Sequence, residues 1–281
     1  SKIIIDFSLN KEDFLNYLNI YKILIKLDIS IPKIYEIHFQ KKIIVIEDFG
    51  DDTFNKLYNN KNLYELLKLG VDNLIIIQNS FSRANLKDLS KYSYSDLKLE
   101  ISEFVDYYIP YKKILNFPEK EFYECWRSIY NRNNFEFNCF VHKDYEFINL
   151  MFLNERKHHL KCGIIDFQSA FLGFVGWDLF SILEDPRLDF SNKYNDYLMK
   201  YFYESVNMNI DFKTFTRQYF IFSVARLTRL LGRWIKLYSI DNQIIYFDYI
   251  NVTKKRLLNC LDNIDNNKLK LIYENFIKNH E

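Results

Sequence analysis

The stretch from Cys139 to Leu153, CFVHKDYEFINLMFL, constrains the fold more than any other part of the chain. Apolar residues flank a polar centre that contains His142, Lys143, Asp144 and, five positions beyond the acid, Asn149. Short apolar runs broken by polar residues predict buried strands. A polar turn between the two strands is one reading of the centre, and a catalytic loop is the other. A later apolar run, GIID, ends in Asp166. Between LMFL and LKCGIID lies the polar NERKHH, which predicts a hairpin that folds Asp166 back beside Asn149.

The rest of the chain sets the context for that loop. At 281 residues without a long polar linker, it forms one large domain or two tightly joined lobes. Hydrophobic residues at 48% and aromatics at 18% supply a sizeable core and argue against disorder. Thirty-eight basic against 37 acidic residues give a net charge of +1, which offers no field for nucleic acid or an anionic membrane. Cys125, Cys139, Cys162 and Cys260 form no CxxC pair. The expectation is free thiols in a cytoplasmic protein, with neither zinc nor disulfides. No apolar run approaches the ~20 residues of a membrane span, and SKIIIDFSLN lacks the features of a signal peptide. The absence of an initiator Met fits a trimmed chain or an excerpt of a longer one.

Along the chain, KIIID (2–6) reads as a strand. Asn10 caps a following helix, with Glu12 and Asp13 in its first turn and Phe14, Leu15, Leu18, Tyr21 and Leu24 or Ile25 at helical spacing. Residues 33–52 read as two strands around a tight turn at Gln40–Lys42. Helical patterns then dominate at about 62–79, 96–109 and 118–130, with Pro118 at an N-terminal position. Strands return over 139–166, and helices run from about 177 to the C-terminus with breaks near Pro186, Asn209 and Asp241. His158 and His159 sit in the hairpin tip with no acid or cysteine beside them in a metal-ligand pattern, so a solvated turn is the expectation.

Asp144, Asn149 and Asp166 match in order the protein-kinase pattern HRDxxxxN…DFG. Phosphoryl transfer from ATP needs a carboxylate to orient the attacking hydroxyl and receive its proton, a role for Asp144. It also needs hard oxygen ligands for Mg²⁺, a role for Asn149 and Asp166. The third position of the second motif is Gln168 rather than Gly, which removes the backbone freedom of a mobile activation segment.

VHKDYEFINLMF, GIIDFQSAFLGFVGWDLFSIL and the helical C-terminal part resemble the aminoglycoside phosphotransferase family of kinase-like small-molecule kinases. The resemblance implies an α+β, protein-kinase-like two-lobed fold. A shortened N-terminal β-lobe and hinge would occupy residues 1–50, and a larger helical C-terminal lobe residues 51–281. In that family a glycine-containing turn, here Gly173 and Gly176, precedes an acid that braces the catalytic loop, here Asp178. His142 takes a structural role in the same comparison. Asp178 also fits an ordinary helix N-terminal acid.

Within the family, the DFQ variant, Tyr145 and INLM look like the bacterial sugar 1-kinases that act on N-acetylmuramate and N-acetylglucosamine in cell-wall recycling. IIVIEDFGDDTF resembles their hinge, whose backbone would pair with adenine at Glu47, Asp48 and Phe49. An ordinary strand-to-helix loop is the alternative there. LKLEISEFVDYYI resembles their acidic-aromatic helix, which implies Glu100, Tyr107 and Tyr145 beside the sugar. A solvated helix face is the alternative for the acids. Arg226, Arg229 and Arg233 form one basic stripe that could meet a substrate carboxylate or pair with surface acids. Lys2 lies where eukaryotic-type kinases carry a phosphate-contacting Lys, with Glu12 as its possible partner, or it is solvated.

No glycine precedes Gly50, so no Gly-rich phosphate loop is present in this stretch. Two functional classes follow. The first is an ATP- and Mg²⁺-dependent kinase of a small hydroxylated molecule, with an amino sugar at its anomeric hydroxyl as the first acceptor and aminoglycosides or choline-type alcohols as competitors. The second is a non-catalytic nucleotide-binding module. The oligomeric state is left open.

Overall fold

Short apolar runs, two of them joined by a tight turn, account for the first sheet. The computed structural model describes residues 1–81, 89–188 and 192–278. In it, β1 (Lys2–Asp6) is followed by α1 (Lys11–Leu24), β2 (Ile34–His38) and β3 (Ile43–Glu47). The three strands form an antiparallel sheet in the order β1-β3-β2. Ile3 lies opposite Ile46 and Ile5 opposite Ile44, so these four residues share one face while Lys2, Ile4 and Asp6 take the other. The β2–β3 turn ends at Lys42 with φ 54°. Asn10 caps α1 by accepting a hydrogen bond from the Asp13 N–H, and the helix buries Phe14, Tyr17, Leu18, Ile20 and Leu24.

The chain continues through α2 (Phe54–Leu57), α3 (Leu63–Ser80) and α4 (Tyr94–Glu103). A π-helical turn, Phe104–Tyr108, leads from α4 into α5 (Ile109–Tyr111), and α6 (Glu119–Arg132) follows. Four short strands come next: β4 (Cys139–Val141), β5 (Leu150–Phe152), β6 (Cys162–Ile164) and β7 (Phe171–Gly173). The remaining elements are α7 (Trp177–Leu183), α8 (Asn195–Ser205), α9 (Phe212–Ser239), α10 (Tyr249–Leu261) and α11 (Asn267–Tyr273). Parts of the expected C-terminal helical region, residues 189–191 and 279–281, lie outside the described residues.

The chain divides into two compact units. The first gathers residues 1–91, 137–185 and 190–209, and so contains the three-stranded sheet, α3 and all four short strands. Its expected hairpin is β5–β6, with Leu150 opposite Ile164 and Phe152 opposite Cys162. β4 pairs instead with β7, Cys139 opposite Gly173. Gly173 therefore ends a strand and does not sit in the turn the sequence implied. Three residues are too few to carry a readable alternation, so this strand exists only through its partner.

The second unit holds residues 92–136, 186–189 and 210–281. Its axis is α9, which buries Phe215, Tyr219, Phe222, Leu227, Leu230, Leu231 and Trp234. Gly232 lets α9 approach the end of α4 closely, because a Cβ there would lie 2.0 Å from the Glu103 carbonyl oxygen. No helix among the described residues is long and apolar enough to cross a membrane.

Candidate active site

The loop between β4 and β5 is held mainly through its backbone. The N–H groups of His142 and Lys143 donate to Asp178 Oδ2 at 2.7 Å and Oδ1 at 3.1 Å. Asp178 lies in the first turn of α7 and is buried. One carboxylate thus satisfies two consecutive donors and holds Lys143 at φ 82°, a region that non-glycine residues seldom adopt. The Asp144 carbonyl accepts from the Glu146 N–H at 3.0 Å and from Asn149 Nδ2 at 2.9 Å. A carbonyl can only accept, so the Asn149 amide nitrogen is engaged there and Oδ1 is left as an acceptor. The side chain of Asp144 is half-buried, and among the described residues its carboxylate receives no hydrogen bond.

His142 closes the back of the loop. Its ring is buried, and Nε2 lies 3.0 Å from the Ile165 carbonyl, so Nε2 carries the proton. Burial pushes the His142 pKa down, against the opposing charges of Asp144 and Asp166, and the ring is neutral. The Ile165 N–H returns a bond to the Asn149 carbonyl at 3.2 Å, which ties the start of β5 to the end of β6. Asp166 follows at φ 63°, a left-handed conformation that aspartate tolerates better than most residues. Gln168 Nε2 donates to Asp166 Oδ1 at 2.8 Å. Phe167 is buried and stacks on Tyr17 of α1 with ring centres 4.6 Å apart.

Of these groups, Tyr17, Asn149, Ile165, Asp166 and Gln168 line a cleft of about 310 Å³, which Asp144 does not line. Ile3, Ile5 and Ile46 line it from the sheet, Glu47, Phe49 and Gly50 from the segment after β3, and Asn149, Met151, Asp166 and Gln168 from the hairpin side. Asn149 and Asp166 therefore share one cavity with the expected hinge. Their two oxygen types, an amide carbonyl and a carboxylate, suit a hard divalent cation that keeps most of its other ligands from water and phosphate. No cluster of three or more His, Cys, Asp or Glu that could hold a metal occurs among the described residues. His159 Nε2 instead meets the Asp28 carbonyl at 2.9 Å and its carboxylate at 3.2 Å. A larger cavity of about 930 Å³ lies along α3, lined by Tyr64, Lys68, Asp72, Phe152, Lys161 and Tyr201 among others. None of Asp144, Asn149 and Asp166 lines it.

In the hinge segment, Glu47 is fully engaged. Oε1 accepts from Arg156 Nη2 at 2.8 Å and Oε2 from the Lys33 N–H at 3.1 Å. Asp48 accepts from the Gly50 N–H at 2.8 Å. Hydrogen bonds from Ser1 and then Gly50 hold its carboxyl below the usual range. Phe49 is half-buried at the cleft wall.

Three expected contacts are corrected. Lys2 sits on the sheet face opposite the cleft-lining Ile3 and Ile5, exposed, and pairs with Glu36 at 3.3 Å rather than with Glu12. Strand alternation directs it away from the cleft. Tyr145 is 0% exposed, and its hydroxyl donates to the Gly70 carbonyl at 2.9 Å. It is a core residue under the loop and has no surface for a substrate. Arg226 is 3% exposed within α9, which likewise removes it from a solvent-facing stripe.

The other expected substrate contacts form a cluster in the second unit. Glu100 accepts from the Tyr92 hydroxyl at 2.8 Å and lies 3.9 Å from Arg229. Glu103 pairs with Arg233 at 2.6 Å. Tyr107 is half-buried, with Lys236 Nζ 5.4 Å from its ring centre. Arg229 and Arg233 thus pair with acids of α4. Sequence reasoning missed Tyr17, Arg156 and the bond made by Gln168. Only Gln168 left a signal, as the residue that departs from the kinase motif.

The Ecdysteroid kinase-like family matches residues 75–211. A relative named N-acetylmuramate/N-acetylglucosamine kinase, from Caulobacter vibrioides, is 27% identical over 232 residues, covering 79% of this chain and 63% of the relative. The chain thus spans somewhat less than two thirds of that relative's length. Among solved structures, the GDP complex of an aminoglycoside 2'-phosphotransferase-IIIa mutant aligns with a TM-score of 0.63 at 13% identity, over 93% of this chain and 87% of that one. A choline/ethanolamine kinase family protein from Mesorhizobium loti aligns with a TM-score of 0.60 at 11% identity, over 94% and 82%. The fold is accordingly α+β and kinase-like. The chain is thus similar to small-molecule kinases in sequence and has a kinase-like fold.

Proposed function

We propose that the protein transfers the γ-phosphoryl group of ATP to a hydroxyl of a small molecule, and that this acceptor is the anomeric hydroxyl of an amino sugar. The observation that carries the reading is the convergence of Asn149 and Asp166 on one cleft with the hinge, while Asn149 also fixes the Asp144 backbone. Asp144 orients the acceptor and takes its proton as the oxygen bonds to phosphorus and ADP departs. Its half-buried, unengaged carboxylate suits that role. Asn149 Oδ1 and the Asp166 oxygen not bonded to Gln168 would hold Mg²⁺, which when bound neutralises charge on the phosphates. Asp178 and His142 act on the loop through its backbone and through Ile165, and so position Asp144 without meeting substrate.

The relative named N-acetylmuramate/N-acetylglucosamine kinase supports the amino-sugar acceptor. Incubation with ATP and Mg²⁺ and a panel of N-acetylmuramate, N-acetylglucosamine, an aminoglycoside and choline tests it. ADP formation with either acetylated sugar and little with the others is the expected result. Turnover of only the aminoglycoside or choline overturns the acceptor, and no ADP with any compound favours a non-catalytic nucleotide-binding module.

A further inference from the structure

The hairpin tip NERKHH reads from sequence as a solvated turn, yet its arginine is two-thirds buried. Arg156 Nη2 lies 2.8 Å from Glu47 Oε1, with side-chain exposures of 32% and 28%. The guanidinium carbon lies 4.9 Å from the centre of the Phe49 ring. The ring also rests on bare backbone: a Cβ at Gly163 would come within 2.8 Å of Phe49 Cδ2 and Cε2. Phe49 is thus confined by a planar cation and a glycine that both belong to the hairpin. Glu47 is fixed at the same time, through Arg156 and through both backbone groups of Lys33.

We infer that Arg156 is the positioning residue for the nucleotide base, locking the Glu47–Gly50 segment at the wall of the cleft. The inference rests on the reading of that cleft as the nucleotide site. Arg156 and Lys33 each take one oxygen of the Glu47 carboxylate and hold it in place, and base recognition is assigned to the backbone of the segment. The position of that backbone is set by the arginine. A planar fork that pairs with a carboxylate while lying over a ring is a property of arginine and not of lysine. The same hairpin carries Asp166 at the end of β6, so base wall and phosphate-side acid are built on one element.

Calorimetric titration of ADP and GDP into the wild-type protein, Arg156→Ala and Arg156→Lys tests this, together with melting temperatures and kcat at saturating ATP. Arg156→Ala is expected to bind ADP about tenfold more weakly, the scale of losing a cation–ring contact and a half-buried ion pair. The ratio of the ADP and GDP constants shifts, and kcat stays within about twofold. Arg156→Lys falls between, since it keeps the charge on Glu47 and loses the flat contact. Unchanged ADP affinity in Arg156→Ala overturns the inference while the nucleotide site stands. Equal losses for ADP and GDP that follow a lowered melting temperature and a lowered kcat also overturn it, because they mark a merely structural residue. A wild-type protein that binds neither nucleotide overturns both the inference and the reading beneath it.

Discussion

Two acid-rich regions of this chain use their charges in opposite ways. Around the β4–β5 loop, the bonding falls on the backbone: Asp178 takes two N–H groups, and Asn149 and His142 each meet a carbonyl. The loop is fixed while the Asp144 carboxylate stays unengaged. In the second unit, the acids of α4 are paired with side chains: Glu100 with Tyr92 and Arg229, Glu103 with Arg233. Burial pushes the Glu103 carboxyl up, and Arg233, Arg229 and Lys236 pull it back. A carboxylate held ready for chemistry and one that serves packing look identical in sequence. What separates them is whether the neighbours satisfy the backbone or the carboxylate itself.

That contrast can be broken by substitution. Asp178→Ala should cost the most, about 2–4 kcal/mol of stability, because it leaves one buried and one partly buried N–H group without their acceptor. Chemical denaturation measures it, and a loss near zero would mean the loop is held by something other than Asp178. His142 gives a smaller effect with a defined pH direction. Its folded-state pKa lies below the unfolded value of about 6.5, so the unfolded chain takes up a proton that the folded one refuses. Its contribution is fully present above that pH and is lost as pH falls below it. Denaturation curves in EDTA from pH 7 downward should therefore fall more steeply for the wild type than for His142→Gln. Equal slopes would show that the ring titrates freely. Arg233→Gln should have the smallest effect, under about 1 kcal/mol, since its partly exposed pair is screened by solvent. A loss of several kcal/mol there would place the second-unit cluster among the essential ones.

How much of this was legible follows from where each partner lies in sequence. The α1 cap, the β2–β3 turn and the β5–β6 hairpin depend on neighbours a few residues away, and the pattern exposes them. That Asn149 and Asp166 come to one cleft was readable because a polar stretch between two apolar runs marks the hairpin that folds one back on the other. Distant partners left no trace. Tyr145 finds the Gly70 carbonyl 75 residues earlier, so its position beside the loop acid read as a substrate contact when it is a core anchor. Lys2 was assigned by its strand, but the face of the strand decides its role, and only the pairing with β3 reveals that face. Arg156 meets Glu47 across 109 residues, and nothing in NERKHH distinguishes it from a solvated turn.

The central claim is that Asp144 is the proton acceptor of a phosphoryl-transfer site. It is tested most directly by single-turnover phosphorylation in wild type and Asp144→Asn, with ADP affinity measured on the same preparations. The account predicts a rate loss of about 10²–10⁴-fold with ADP affinity nearly unchanged, because Asn149 holds the backbone carbonyl of residue 144 and not its side chain. Wild-type turnover in Asp144→Asn would contradict it.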